Sequence, residues 1–96
     1  MSGAAPLGGE LLEQVSKVLP NAVIGQGYGM TETSTTISMF AGDTRISKVG
    51  SSGRLMPGLI AKVVKPDGSL AKEGEEGELV VKGPSMALRY LNNPTA

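Results

Sequence analysis

The sequence contains no cysteine, no histidine and no tryptophan, and its aromatic residues are Tyr28, Phe40 and Tyr90. Without cysteine the chain has no disulfides, thiol nucleophiles or cysteine metal sites, and without histidine it lacks the commonest general base and metal ligand. Many hydrolases and zinc proteins are therefore excluded. So few large aromatic side chains in 96 residues also leave little bulk for an independent core.

The sequence also lacks an excess of charge of either sign and a long apolar run. Nine basic and nine acidic residues cancel, which argues against nucleic acid as a partner. Apolar runs are a few residues long, whereas a membrane span needs about 20, so no span is predicted. The N-terminus has no basic segment followed by an apolar run, so no signal peptide is predicted and the default compartment is intracellular.

Glycine, in contrast, is abundant, with 14 residues. A short glycine-rich chain with few large side chains is typical of a segment whose apolar surfaces are completed by a longer chain, although a small glycine-rich domain is an alternative. Met1 is interpreted as an added start residue, and the chain stops at Ala96 without a cap or tail signal. We therefore expect an internal fragment of a larger protein.

Helical spacing of apolar residues predicts an amphipathic helix over residues 9 to 19, which Pro20 cannot continue. The predicted apolar face consists of Leu11, Val15, Val18 and Leu19. The run Ala22 to Ile24 then predicts a short buried strand that reaches a glycine-rich turn. Helix and strand together indicate an α/β layer with a parallel strand, and ligands of such sheets bind beyond the carboxyl ends of strands.

From about Lys48 the pattern changes to short β-rich runs separated by glycine and proline. Leu59 to Lys65 and Glu78 to Lys82 are the clearest predicted strands, and Pro66 to Gly68 supplies turn chemistry. We expect the two strands to pair antiparallel. Met86 to Leu91 is predicted as a short helix. The chain thus divides at residues 1–47 and 48–96.

The segment with the clearest chemistry is Gly25 to Glu32, which reads Gly-Gln-Gly-Tyr-Gly-Met-Thr-Glu. Alternate glycines permit close approach of a ligand, Tyr28 offers a flat face, Thr31 a neutral donor and Glu32 a hard carboxylate. These groups suit a nucleotide with a metal ion. The segment matches neither a P-loop nor a dinucleotide-binding spacing, and a glycine-rich turn with a half-buried tyrosine is the alternative.

Gly27 to Glu32 resembles the Tyr-Gly-x-Thr-Glu signature of the adenylate-forming superfamily, which includes acyl- and aryl-CoA synthetases, luciferases and peptide-synthetase adenylation domains. Further segments extend the resemblance over essentially the whole chain, most closely to the 4-coumarate:CoA ligase-like branch. They are Ser2 to Leu7, Gly50 to Leu55, Gly77 to Leu79 and Tyr90 to Asn92. The implied fold is an α/β fragment of the large N-terminal domain, residues 1–47 ending the nucleotide-binding subdomain and residues 48–96 contributing antiparallel β-barrel-type strands.

The resemblance implies an enzyme that joins a carboxylic acid to ATP and then transfers the acyl group to CoA, with Mg²⁺ assisting. Thr31 would bond the α-phosphate, Glu32 would help hold Mg²⁺, and both are candidate catalytic residues. Gly27 and Gly29 would let the acid approach the phosphorus in line. The implied nucleotide-binding set is Ala4, Ala5 and Pro6 against the adenine, Gln26 and Tyr28 completing its pocket, and Gly27, Gly29 and Thr31.

The implied acid-binding residues are Gly27, Gly29, Met30, Thr35, Thr36 and Ile37. At Thr33 to Ile37 the plant coumarate enzymes typically carry Ala-Gly-Pro-Val-Leu, so Thr35 and Thr36 replace Pro and Val. A hydroxycinnamate and another medium-sized or aromatic acid therefore stay open as substrates.

Other family parts should lie outside this sequence: the phosphate loop upstream of Ser2, and the ribose-binding Asp, hinge and catalytic Lys downstream of Ala96. Alone the chain is thus expected to be inactive, with the rest of the parent chain as its partner and a cytoplasmic or peroxisomal location. The alternatives are a fragment of an adenylation domain that loads a carrier protein, and a non-catalytic nucleotide-binding module.

Overall fold

A computed structural model describes residues 1–40, 48–93 and 95. The described elements form one three-stranded antiparallel sheet in the order β1-β2-β3, a two-stranded antiparallel sheet of β4 and β5, and one α-helix. In chain order they are α1 (Gly9–Val18), β1 (Gly27–Met30), the 3-10 helix η1 (Thr31–Thr33), β2 (Thr35–Met39), β3 (Arg54–Leu55), β4 (Ile60–Val64) and β5 (Glu78–Lys82). The described strands do not close into a barrel.

Helix α1 confirms the predicted helix, but the residue that it buries most fully, Leu12, was not part of the predicted apolar face. Leu12 is only 3% exposed, whereas Leu11 is 52% and Val18 77% exposed. Successive helical residues point about 100° apart, so the burial of Leu12 turns Leu11 outward. Val15 is half-buried beside this inward face, and Leu19, also assigned to the apolar face, is exposed.

The strand predicted at Ala22 to Ile24 is also wrong, since only an isolated bridge forms there, at Ile24. The extended strand is instead β1, within the glycine-rich segment that was expected to be a turn. The parallel pairing expected of an α/β layer is present as one bridge between Ser2 and Gln26. The Ser2 N–H donates to the Gly25 carbonyl (2.9 Å) and the Gly27 N–H donates to the Ser2 carbonyl (2.9 Å).

The predicted antiparallel pair is confirmed by β4 and β5, whose register joins Ile60 to Lys82 and Val64 to Glu78. The predicted turn follows β4: the Gly68 N–H donates to the Lys65 carbonyl at 2.9 Å, and Gly68 has φ = 84°, a value that favours glycine. The short helix predicted at Met86 to Leu91 is absent from the structure, which has turns and an isolated bridge in that segment.

The hydrophobic core is small. Among the described residues the buried apolar side chains are Leu12, Ile24 and Ile37. The accessible surface is 7449 Å², whereas a compact monomer of this mass exposes about 5,200 Å². The radius of gyration is 15.9 Å, against about 12.5 Å for a compact domain of this length. Much apolar surface is therefore left uncovered, as the composition predicted. No helix in the described part of the chain is long and apolar enough to cross a membrane.

Candidate functional site

A cavity of about 300 Å³ lies between the N-terminal loop, strand β1 and the turn that precedes β3. The loop contributes small side chains, β1 contributes Tyr28 and flanking glycines, and the turn contributes Gly50 and Ser52. All residues that the resemblance assigned to the adenine pocket line this one cavity: Ala4, Ala5, Pro6, Gln26 and Tyr28. Gly27 and Gly29, assigned to the nucleotide and to the approach of the acid, line it as well. Thr31, assigned to the α-phosphate, lies outside it, beyond the end of β1.

Gly50 and Ser52 also line the cavity, although their segment was part of the resemblance without a predicted binding role. The fold brings the turn against β2: a Cβ on Gly53 would lie 2.0 Å from the Met39 carbonyl carbon, and the Ser38 hydroxyl donates to the Ser52 hydroxyl at 3.1 Å. The signal available in the sequence was the Gly-Ser-Ser-Gly motif, since closely spaced glycines mark places where backbones approach.

Gln26 lines the cavity, but its side-chain amide is engaged elsewhere. Its Oε1 accepts from the Leu7 N–H at 2.9 Å, and its Nε2 donates to the Leu7 carbonyl at 3.2 Å. Gln26 therefore lines the cavity and also binds the loop that forms the opposite wall.

The glycines of the motif are required for different structural reasons. A Cβ on Gly29 would lie 1.4 Å from the Thr35 carbonyl oxygen of β2, and a Cβ on Gly25 would lie 2.2 Å from the Phe40 ring. Strand pairing thus requires glycine at position 29 and packing requires it at position 25, which are structural reasons that the sequence did not reveal. Only at Gly27 is the nearest neighbour, the Ser38 carbonyl oxygen, at an ordinary 3.4 Å.

Thr31 and Glu32 follow directly at the end of β1, in η1. Thr33, which is buried, ties this turn together because its hydroxyl donates to the Met30 carbonyl at 2.9 Å. The Thr31 side chain is exposed. At about 3.3 Å per strand residue, Thr31 lies on the order of 10 Å from Tyr28 along the chain. A nucleoside joined to its first phosphate can span that separation.

Glu32 has a partner that the sequence did not reveal. The Tyr90 hydroxyl donates to Oε1 of Glu32. The same segment is held twice more: the Ala87 N–H donates to the Glu32 carbonyl (2.7 Å) and the Ser34 hydroxyl donates to the Ser85 carbonyl (2.9 Å). These long-range bonds hold residues 85 to 90 against η1 and Ser34, in the segment where a short helix was expected. Tyr90 was part of the resemblance, but without a role.

The hydrogen bond between Tyr90 and Glu32 shifts the pKa of both groups. Accepting from Tyr90, and secondarily from the backbone, holds the pKa of Glu32 below its usual 4.5. The hydrogen bond and the charge of the carboxylate raise the pKa of Tyr90 above 10.0. The lowered Glu32 pKa means that the bond contributes stability above pH 4.5 and loses it as the pH falls through the folded-state pKa. The raised Tyr90 pKa means that the contribution is again lost as the pH rises beyond 10.

We therefore expect Tyr90→Phe to raise the pKa of Glu32 towards 4.5, because the phenyl ring cannot donate a hydrogen bond. Carboxyl carbon NMR shifts across an acid titration measure this directly. Leu88→Ala is the matched control: Leu88 lies in the same segment, is almost fully exposed and should leave the Glu32 titration unchanged. A Glu32 that titrates identically in the wild type and in Tyr90→Phe would contradict the bond.

The residues assigned to the acid lie in two places. Gly27 and Gly29 line the cavity, while Met30 pairs with Thr35 and Gly29 with Thr36 at the end of the β1-β2 hairpin. The Thr35 and Thr36 hydroxyls lie 3.3 Å apart, and Thr35 has φ = 91°, an uncommon backbone for a β-branched residue.

Ile37 does not have the expected role. Tyr28 pairs with Ser38 and Gly29 with Thr36, so Ile37 lies unpaired at a bulge. It is 1% exposed, and its side chain therefore contributes to the core rather than to an acid-binding surface. The register shift could not be read from the sequence.

No cluster of three potential metal ligands occurs in the described ranges, so Glu32 is a single carboxylate. A single carboxylate fits Mg²⁺ that is bound together with a nucleotide, because one or two carboxylates then share the ion with phosphate oxygens and water. The chemistry of the donor is suitable, because carboxylate oxygen is a hard ligand.

The sequence family was identified by comparison with family models, where the model described as AMP-binding enzyme matches residues 1–91. This chain belongs to the AMP-binding enzyme family. It is similar to 4-coumarate--CoA ligase 5 of Oryza sativa subsp. japonica, with 43% identity over 100 residues, and to 4-coumarate--CoA ligase 1 of Arabidopsis thaliana, with 41% identity over 99 residues. These matches cover 100% and 99% of the chain but 19% and 18% of the relatives.

Solved structures of the same family share the fold. A long-chain-fatty-acid-CoA ligase from Archaeoglobus fulgidus aligns with a TM-score of 0.85 at 28% identity, over 95% of this chain and 20% of that one. O-succinylbenzoate CoA synthetase from Bacillus subtilis, in complex with its acyl-adenylate intermediate, aligns with a TM-score of 0.78 at 32% identity, over 98% and 19%. The chain therefore has the fold of one segment of an adenylate-forming enzyme and spans about a fifth of its relatives' length.

Proposed function

We propose that this chain forms the base-binding side of the nucleotide site in an ATP-dependent carboxylic acid:CoA ligase. The observation that carries the proposal is the single cavity in which the separated loop at Ala4 to Pro6 meets the motif at Gln26 to Gly29. Its volume of about 300 Å³ is at the lower limit of small-molecule pockets, as suits a base and part of its ribose.

In this proposal each residue has one task. The Tyr28 ring stacks on the adenine between the loop and the Gly50 turn, and the Thr31 hydroxyl donates to an oxygen of the α-phosphate. Met30, Thr35 and Thr36, around the end of the hairpin, line the route of the acid. Its carboxylate attacks the α-phosphorus, forms an acyl-adenylate and expels pyrophosphate, and the thiol of CoA then displaces AMP.

Glu32 supplies the anionic ligand for Mg²⁺, which would offset charge that accumulates on the phosphate oxygens. The protein's own contribution is to hold the Glu32 carboxylate at the start of η1 through the Tyr90 hydroxyl and the backbone bond to Ala87. Such positioning accounts for most of the catalysis in phosphoryl and nucleotidyl transfer.

The names of the relatives favour CoA rather than a carrier protein as acceptor. The acid is proposed by class only, a hydroxycinnamate or another medium-sized or aromatic acid, since Thr35 and Thr36 stand where plant coumarate enzymes typically carry other residues. A cytoplasmic or peroxisomal location stays a prediction.

The isolated chain is expected to bind ATP weakly, with a Kd above about 1 mM, and to show no pyrophosphate exchange. One stacked base and one or two phosphate contacts must offset an association entropy of several kcal/mol, and millimolar binding corresponds to only about 4 kcal/mol. NMR titration with ATP and Mg²⁺ measures the affinity and locates it. Shifts should concentrate on the residues that line the cavity and on Thr31.

The matched variants are Tyr28→Phe, which keeps the stacking ring, and Tyr28→Leu, which removes it. We expect the former to retain the shifts and the latter to lose them. Shifts that cluster away from the cavity would refute the site, while micromolar affinity or turnover by the chain alone would favour an autonomous nucleotide-binding module.

A further inference from the structure

The loop that forms one wall of the cavity is fixed at two points. Its beginning is held by the parallel bridge between Ser2 and Gln26, and its end by the Gln26 side chain on Leu7. Between them, Ala4 adopts φ = 67°, a left-handed conformation that is costly for a non-glycine residue. A backbone in that conformation persists only when its surroundings hold it. The backbone of Gly25 and Gly27 makes the hydrogen bonds of the first attachment, and the Gln26 side chain makes the second.

The geometry of the Gln26 amide is that of a peptide group in a sheet. Its oxygen accepts from the Leu7 N–H at 2.9 Å while its nitrogen donates to the Leu7 carbonyl at 3.2 Å. The residue is 9% exposed. Leaving a buried amide without its hydrogen-bond partners costs about 1 to 3 kcal/mol in the free energy of unfolding. The side chain is therefore strongly bound to the loop.

We propose that Gln26 is a positioning residue. By binding Leu7 it holds Ala4 to Pro6 at a fixed distance from β1, and so sets the width of the cavity in which the base would bind. Gln26 acts through the loop and reads no feature of the base. This inference rests on the proposed nucleotide site, and it adds the way in which one wall of that site is held.

The decisive variant is Gln26→Glu in the 96-residue chain. It keeps the size of the side chain, but an ionised carboxylate cannot donate to the Leu7 carbonyl and repels it. Below about pH 4, where a carboxyl is largely protonated, the side chain gains an O–H donor beside its acceptor oxygen and can form both bonds. Gln14→Glu on the exposed side of α1 is the matched control, because it makes the same chemical change away from the loop.

The first readout needs no nucleotide: hydrogen exchange of the Leu7 amide followed by NMR. At neutral pH the ionised side chain can still accept from the Leu7 N–H, but the lost donation to the Leu7 carbonyl and the repulsion between the two oxygens should open the pair of bonds. We therefore expect Gln26→Glu to accelerate exchange about tenfold. In acid the acceleration should disappear relative to wild type at the same pH, and Gln14→Glu should match wild type throughout. An unchanged exchange rate of the Leu7 amide, or an acceleration that acid does not reverse, would show that the Gln26 side chain does not hold Leu7.

The second readout compares adenosine and inosine, which differ at the base edge, as NMR titrants. If Gln26 acts through the loop, Gln26→Glu weakens the binding of both by the same factor. A change in their ratio would overturn the inference and assign Gln26 a direct contact to the base. If neither the nucleosides nor millimolar ATP with Mg²⁺ shifts the residues that line the cavity, the proposed function fails for this chain, while Leu7 exchange still decides whether Gln26 holds Leu7.

Discussion

Replacing Gly29 with alanine is expected to separate β1 from β2. The new Cβ would lie 1.4 Å from the Thr35 carbonyl oxygen and 2.4 Å from its carbon, both backbone atoms that cannot rotate away. The hairpin must therefore shift or open, and we expect a loss of at least about 3 kcal/mol in the free energy of unfolding. Urea unfolding followed by circular dichroism measures the loss, and cross-strand amide contacts in NMR spectra report on the hairpin directly.

Gly27→Ala is the matched control. It is the same substitution on the same strand, but its Cβ meets only ordinary contacts, the nearest at 3.4 Å. It should cost less than about 1 kcal/mol, the usual scale for surface changes. Equal stability losses in the two variants would show that the close approach of β1 to β2 is not what requires glycine at position 29.

Glu32→Gln is expected to slow adenylation by about 10² to 10³-fold, because the amide keeps the shape of the side chain and loses the anionic metal ligand. Removing one preorganised electrostatic contact typically costs about 2.7 to 4 kcal/mol of transition-state stabilisation. The measurement requires a complete ligase. We therefore design a chimaera in which this chain replaces the matching segment of rice 4-coumarate--CoA ligase 5, to which it is 43% identical. ATP-pyrophosphate exchange with 4-coumarate then reports the first half-reaction.

Glu13→Gln on exposed α1 makes the same chemical change outside the site and should leave the exchange rate unaltered. The exchange rate of Tyr90→Phe in the same chimaera is expected to lie between those of Glu32→Gln and Glu13→Gln, since Glu32 keeps its charge but loses its positioning bond. Exchange at the parental rate in Glu32→Gln would remove Glu32 from the chemistry. A folded chimaera without any activity would count against the proposed function itself.

The residues that lie together at the cavity could be named from the sequence, whereas their interactions could not. Tyr28 and the loop at Ala4 to Pro6 could be assigned to one pocket because the motif resembles a known signature, and the cavity does bring them together. Tyr90 could not be assigned to Glu32, because 58 residues separate them along the chain. A contact at that range depends on how two sheets and a turn are placed, for which local patterns contain no information.

Local elements show the same division. The span of α1 and the pairing of β4 with β5 were predictable, since helical periodicity, Pro20 and the turn at Pro66 to Gly68 act over a few residues. The glycine-rich segment was mistaken for a turn because glycine has a low strand propensity. In the fold, strand β1 instead uses Gly29 to approach β2 closely.

By itself the sequence determined the family, the chemical groups available at the site and the local elements whose signals are short in range. Tertiary structure alone decided that Leu12 rather than Leu11 faces inward, that a bulge sends Ile37 into the core, and that the Gln26 amide holds Leu7. The physical reason is that a side chain's orientation depends on register and on packing partners distant in sequence. A one-residue change in strand register reverses the faces of a strand, and one helical step turns a side chain by about 100°.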